Sequence, residues 1–335
     1  MTPRSLDEDD VRVRPGKGKS RARTKDRPGH VDAVTGWVVT VDRGRYGCIV
    51  DTDDGRTHVM AMKTRELGRG GVVVGDRVAI IGDLSGRTDA LARIVRVEPR
   101  TTVLRRTADD TDPVERVVVA NADQLAVVTA LADPEPRPRL IDRCLVAAYD
   151  AGLRPLLVLT KSDLRSPDDL LDAYRPLDVA SVVPARGGDL TELRDRLAGR
   201  RTVFVGHSGV GKSTLVNALI PGTDRATGVV NSVTGRGRHT STSAIVLELP
   251  DAAGWVIDTP GIRSFGLAHV DPERVILAFP DLSGGIERCP RSCSHDEPEC
   301  GLDSWVADGH ADPARLESLR RLLRTREAPE DDRDG

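Results

Sequence analysis

The chain has 335 residues, 39% hydrophobic and 30% charged, with a formal net charge of −3, which leaves room for about two or three domains and excludes a disordered or fibrous chain. Aromatic residues make up only 3%, so Val, Leu, Ile and Ala must fill the cores and stacking platforms for bases are scarce. No apolar run reaches the roughly 18 residues of a membrane helix and the polar start is no secretory signal, while five cysteines in this length exclude a disulfide scaffold; a cytoplasmic protein is expected.

Residues 1–29 read as a basic arm. Between residues 11 and 30 eight basic side chains face one acidic residue, Asp26, and such a stretch cannot bury enough apolar surface to fold alone. A solvated tail and a contact with nucleic-acid phosphates both fit it. Only six of the 49 basic residues in the chain are Lys, so Lys161 and Lys212, which fall inside motifs, draw notice.

Residues 30–104 alternate apolar and polar positions around Gly and Asp breakers in "GWVVTVDRG", "RYGCIVDTDDGRTHVMAM", "VGDRVAIIG" and "ALARIVRVEP". Four or five strands in that span predict a small closed barrel of OB-fold type, with an SH3-like barrel as the alternative. Cys48 falls in this pattern as a small buried hydrophobe, and Cys144 does the same in a helix further on.

Over residues 115–283 the period changes. Continuous β-rich runs, "QLAVVTAL", "LRPLLVLT", "VASVVPA", "RTVFVG", "AIVLEL" and "GWVIDT", alternate with helix-like segments such as "LIDRCLVAAYDAG". Strands buried on both faces and separated by helices predict a mainly parallel, doubly wound α/β sheet.

Four stretches of this region carry chemistry. Thr160-Lys161-Ser162-Asp163 ends an apolar strand; a carboxylate there can accept the adjacent N1–H and amino group of guanine, with the Lys161 stem covering the base. An ordinary strand-ending turn is the alternative. "VVPARGGDL" supplies a candidate backbone contact to the base at Ala185. Gly206-His207-Ser208-Gly209-Val210-Gly211-Lys212-Ser213-Thr214 matches the phosphate-loop pattern between a strand and a helix. Its backbone N–H groups converge on phosphates, Lys212 reaches the β- and γ-phosphates, and Ser213 offers a hydroxyl to Mg²⁺. Asp258-Thr259-Pro260-Gly261 then places a carboxylate for Mg²⁺ and an N–H at Gly261 for the γ-phosphate. Between these two motifs Thr240 or Thr242, with Thr240 preferred, is the switch threonine on Mg²⁺. Base loop before phosphate loop makes this a circular permutation of a GTPase, which compact domains tolerate because their termini lie close together. The Asp258 motif then leads straight into the C-terminal segment, which is expected to sense nucleotide state.

Residues 284–326 hold Cys289, Cys293, His295 and Cys300, three thiolates and an imidazole suited to one tetrahedral structural Zn²⁺; three buried thiols and a surface histidine would be the alternative. A helix follows, with Asp312 as cap, Pro313 in its first turn and an apolar stripe of Leu316, Leu319, Leu322 and Leu323. Residues 327–335 form an acidic tail.

The stretches "VEPRTTVLRR", "NADQ", "IDRCLVAAYDAGLRPLLVLTKSDL", "GHSGVGKSTLVNAL", "GRGRHTST" and "DTPGIRSFG" make residues 30 to 325 resemble the ribosome small-subunit-dependent GTPase A family. The resemblance implies an OB-fold, a circularly permuted GTPase domain and a C-terminal zinc module. It implies hydrolysis of GTP to GDP, stimulated by the 30S subunit, in late subunit maturation; 16S rRNA as partner, no DNA or membrane, and a monomer are expected. It also implies that His239 orients the attacking water, since Ile262 stands where other GTPases carry Gln; a mobile exposed histidine is the alternative. Arg236 and Arg238 are candidate rRNA contacts. Two competing readings remain: a P-loop kinase or metabolic NTPase, and a nucleotide-controlled RNA-binding protein with negligible hydrolysis.

Overall fold

Strands that alternate apolar and polar positions can close into a barrel whose interior their apolar faces fill. β1 (Val34–Asp42), β2 (Arg45–Thr52), β3 (Gly55–Lys63), β4 (Arg77–Ile81) and β5 (Ala92–Val97) do this. β1 pairs antiparallel with both β2 and β4, β2 with β3, and β4 with β5, while β3 runs parallel to β5. That circuit is the OB-fold type of closure rather than an SH3-like one. Val38, Cys48, Val50, Val59, Ala61, Val78, Ile80, Ala92 and Ile94 fill the interior, each fully buried branched side chain contributing about 1.5–3 kcal/mol relative to exposure. The computed structural model describes residues 30, 32–52, 55–67, 71–106, 116–185, 187–222, 244–259, 267 and 269–327. The basic arm, Arg236, Arg238, His239, Thr240, Thr242, Gly261, Ile262 and residues 328–335 of the acidic tail lie outside the described residues.

A two-stranded ribbon, β6 (Val103–Arg106) and β7 (Arg116–Ala120), leads out of the barrel. Asn121 ties ribbon to barrel: its amide donates to the Gly75 carbonyl at 2.8 Å and its side-chain oxygen accepts from Thr101 N at 2.8 Å. Gly75 has to be glycine, since its φ is +88° and a Cβ would lie 2.0 Å from the Ala120 carbonyl.

The second layer system follows in chain order: β8 (Gln124–Ala130), α1 (Pro138–Asp150), β9 (Arg154–Thr160), α2 (Asp168–Tyr174), β10 (Ala180–Val182), α3 (Thr191–Leu197), β11 (Arg201–Val205), α4 (Lys212–Leu219), β12 (Ile245–Glu248) and β13 (Trp255–Asp258). The strands lie in the order β10-β9-β8-β11-β13-β12, all parallel except β12. Every residue of β8 is buried, as a central strand covered on both faces requires. One face packs Val203, Val205, Leu145 and Ile141; the other packs Phe204, Leu193, Leu197 and Leu219. β12 also pairs antiparallel with β1 through Ile245 and Thr40, which fuses barrel and α/β sheet edge to edge. Trp37 and Trp255 meet edge to face across that seam, ring centroids 4.7 Å apart.

Among the described residues, four α-helices follow: α5 (Pro272–Leu277), α6 (Pro280–Ser283), α7 (Gly301–Ala307) and α8 (Pro313–Glu327). Asp312 caps α8 by accepting from Ala314 N at 2.8 Å. The stripe Leu316, Leu319, Leu322 and Leu323 is buried in the same core as α1.

Candidate nucleotide site and metal cluster

Because β8, β9, β10, β11 and β13 run parallel, the loops that follow them open on one edge of the sheet, where α/β proteins bind ligands. The phosphate loop occupies that edge after β11. Gly206 passes so close to β8 that a Cβ would sit 2.4 Å from the Val128 carbonyl, and Gly211 caps α4 in a left-handed conformation, φ +90°. Val210 anchors the loop in the core, Ser208 and Gly209 are exposed at its tip, and His207 Nδ1 lies 2.9 Å from the Ser208 carbonyl. Ser213 and Thr214 are exposed on the first turn of α4.

Two contacts stitch this loop to its neighbours. The Lys212 ammonium lies 2.6 Å from Asp258 Oδ1 and 3.4 Å from the Thr259 carbonyl, with the Lys side chain 15% and the Asp side chain 7% exposed. The Thr160 hydroxyl at the end of β9 lies 2.6 Å from the Val210 carbonyl. Lys161 follows in a left-handed conformation, Asp163 is exposed on the next turn, and Ala185, beyond β10, accepts from Gly188 N at 3.1 Å. Base loop, phosphate loop and Asp258 thus gather at one edge although the chain visits them in shuffled order.

The cysteine cluster gathers as tightly. The ligand atoms of Cys289, Cys293, His295 and Cys300 all lie within 4.8 Å of one another. Cys289 Sγ is 3.5 Å from His295 Nδ1 and 3.9 Å from Cys300 Sγ, and Cys300 Sγ is 3.9 Å from the same nitrogen. Zinc bonds of about 2.3 Å to sulfur and about 2.0 Å to nitrogen, set tetrahedrally, put neighbouring ligands about 3.5–3.8 Å apart, so the four residues fit that ion. All are free of disulfides. Short spacings are turned by left-handed Ser292 and His295, φ 61° and 68°. Burial lowers the His295 pKa, which favours the neutral imidazole a metal needs. Hydrogen bonding from Ser294 N, then from Cys293, holds the Glu297 carboxyl at about 2. From α8, Arg320 donates to the His295 carbonyl at 2.8 Å and grips Asp303 with two bonds, and Arg324 grips Asp296 with two more.

A family model described as RsgA GTPase matches residues 97–268. The chain belongs to the RsgA GTPase family. As an RsgA-family member it is a GTP-hydrolysing enzyme. Among its relatives is the small ribosomal subunit biogenesis GTPase RsgA of Ectopseudomonas mendocina, 44% identical over 64% of each chain. The protein of the same description from Pseudomonas aeruginosa is 41% identical over 75% of each. Among solved structures, YjeQ from Thermotoga maritima is 27% identical, with a TM-score of 0.63 over 89% of this chain and 100% of that one. YloQ, described as a circularly permuted GTPase, is 21% identical with a TM-score of 0.63 over 91% of this chain and 100% of that one, a likeness of fold.

One loop beside the candidate site has no sequence signature. The loop after β8, residues 131–137, stands between base loop and phosphate loop. Glu135 grips Arg165 of the base-loop side through bonds of 2.6 and 2.9 Å, and the Lys161 ammonium donates to the Asp133 carbonyl. "ADPEPRPR" reads only as a turn, because its Pro residues signal a break and nothing in its spacing signals a ligand.

Proposed function

We propose that this GTPase acts in the cytoplasm in a late step of small ribosomal subunit maturation, as a monomer whose turnover is stimulated by the 30S subunit and which contacts 16S rRNA. The curated relatives carry small-subunit biogenesis in their names. Among the described residues no helix is long and apolar enough to cross a membrane. We divide the chain into arm (1–29), barrel (30–104), permuted GTPase (115–283), zinc module (284–326) and tail (327–335).

Asp163 accepts the guanine N1–H and amino protons, the Lys161 stem covers the ring, and the backbone at Ala185 closes the pocket. N–H groups from Gly206 to Gly211 hold the phosphates with Lys212. Ser213 and Thr240 would hold Mg²⁺, with Asp258 reaching it through water, and the ion would supply charge neutralisation at the phosphates. Gly261 senses the γ-phosphate and His239 orients the attacking water. Cys289, Cys293, His295 and Cys300 hold one structural Zn²⁺.

The observation that carries this reading is the 2.6 Å bond between Thr160 and Val210, which sets the base-reading and phosphate-binding loops in contact. The test is GTP turnover against graded purified 30S subunits, in wild type and Asp163→Asn. Stimulated turnover, with Asp163→Asn losing GTP affinity, is expected; equal competition by ATP, or no stimulation, refutes it.

A further inference from the structure

We propose that Asp133 is a positioning residue for the guanine base, acting through Lys161; this rests on the guanine reading of Asp163 above. Two neighbouring loops each contain a non-glycine residue in the left-handed region, Asp133 at φ 45° and Lys161 at φ 58°. These two residues meet. The Lys161 ammonium donates to the Asp133 carbonyl, and the Asp133 carboxylate lies 3.8 Å from the same nitrogen. Backbone held in sparsely populated conformations persists where surrounding structure imposes it, and it concentrates at ligand sites.

The surroundings impose it here. Leu131 N donates to the Thr160 carbonyl at 3.0 Å, so the loop leaves β8 bonded to the residue before Lys161. Arg165 holds Glu135 two residues beyond Asp133. Pro134 Cδ comes within 3.7 Å of where a Cβ on Gly209 would stand, so the loop is wedged between the base-reading and phosphate-binding segments.

The carbonyl rather than the carboxylate does the aiming. The Asp133 side chain is 93% exposed while that of Lys161 is 23% exposed, and a carboxylate in open water holds an ammonium weakly. A carbonyl fixed by backbone conformation gives one constant anchor for Nζ. A lysine stem has many rotamers, and anchoring its end confines the methylenes before the base arrives, which lowers the ordering cost of binding. Asp133 therefore acts through Lys161, setting where its stem lies.

Equilibrium binding of a fluorescent GDP to the full chain tests this, with ADP competition for selectivity and steady-state GTP turnover for kcat and KM. Asp133→Val disfavours positive φ and is expected to weaken GDP binding about 3- to 10-fold, raising KM while kcat at saturation holds. Asp133→Asn tolerates the same backbone without the charge and should bind within about twofold of wild type. In a Lys161→Met background, Asp133→Val should cost no further affinity. Should the Val variant fail to fold, Asp133→Ala takes its place in the same cycle. Wild-type binding by the Val variant, equal losses in Asn and Val variants, or an undiminished loss in the Met background each overturns the proposal. Asp163→Asn separates the two claims: retained GTP affinity there removes the guanine reading itself, whereas a loss there beside an additive cycle removes only the role of Asp133.

Discussion

Thr160 donates its hydroxyl to the Val210 carbonyl at 2.6 Å across 50 positions of sequence, in a buried setting. The same oxygen lies 3.2 Å from the Thr129 carbonyl, so one side chain joins β8, the base loop and the phosphate loop. Thr160→Val keeps the shape, removes the donor and leaves a buried carbonyl unsatisfied, at about 1–3 kcal/mol. A lower urea midpoint at unchanged slope and weaker GDP binding are expected together. Lower stability with intact GDP affinity would mean that the bond supports the sheet and not the site.

Lys212 and Asp258 form the other stitch, 2.6 Å apart and both largely buried. Lys212→Ala removes the cation assigned to the phosphates and takes away the ammonium paired with a buried carboxylate, so it should abolish most turnover, about 100-fold or more, and lower stability. Adding Asp258→Asn to that variant should restore stability without restoring turnover. Denaturant unfolding and GTPase assays on the same preparations separate the two effects. A double variant as unstable as Lys212→Ala would remove the unbalanced Asp258 charge as the cause.

How far the sequence discloses this arrangement follows from what sequence can encode locally. Alternation around Gly47 and Cys48, and the unbroken run of β8, mark the barrel and the parallel sheet because positions that fill the barrel interior recur every second residue (Tyr46, Cys48, Val50) while every residue of β8 is buried. The phosphate loop is legible at Gly206 and Gly211, where close approach and a left-handed backbone demand glycine. Pairing between strands far apart in sequence leaves no such trace: nothing in "AIVLEL" tells that Ile245 would bond across to Thr40 of the barrel. The grip of Arg320 and Arg324 on the cysteine loop is equally silent, since both look like any charged residue on a helix face until α8 docks. Asp133 is hidden for the same reason, its role residing in a carbonyl direction.

The four side chains of the cysteine cluster converge to within 4.8 Å of one another in residues 289–300, a stretch that contains no helix or strand, only turns. Elemental analysis of the purified protein is expected to find about one zinc per chain. Stripping zinc with a chelator, or Cys293→Ser, should loosen the loop and with it the anchors of α8 at His295 and Asp296. Hydrogen exchange would report this as lost protection in α7 and α8 while β8 and β11 stay protected. Well under one zinc per chain, or α8 unaffected by chelation, would contradict it.

Arg321, next to the Arg320 that holds the cysteine loop, turns the opposite way and reaches α1: its Nε lies 3.1 Å from Asp142 Oδ2, and its guanidinium sits 5.0 Å over the Tyr174 ring. The Asp142 side chain is only 5% exposed. Burial pushes its pKa above the ordinary carboxylate value and outweighs the opposing pull of Arg321. The folded chain therefore binds this proton more tightly than the unfolded chain. Its contribution to stability is complete below the unfolded carboxylate pKa and is lost as pH rises through the higher folded value. Asp142→Asn removes the ionisation and keeps the shape, so its stability relative to wild type should improve as pH rises from about 4 to about 7. Urea unfolding of both proteins at a series of pH values measures the difference. A relative gain by wild type over that range would show that attraction to Arg321 exceeds the burial penalty, and the contact between α8 and α1 would then be held by the ion pair instead of by the leucine stripe beside it.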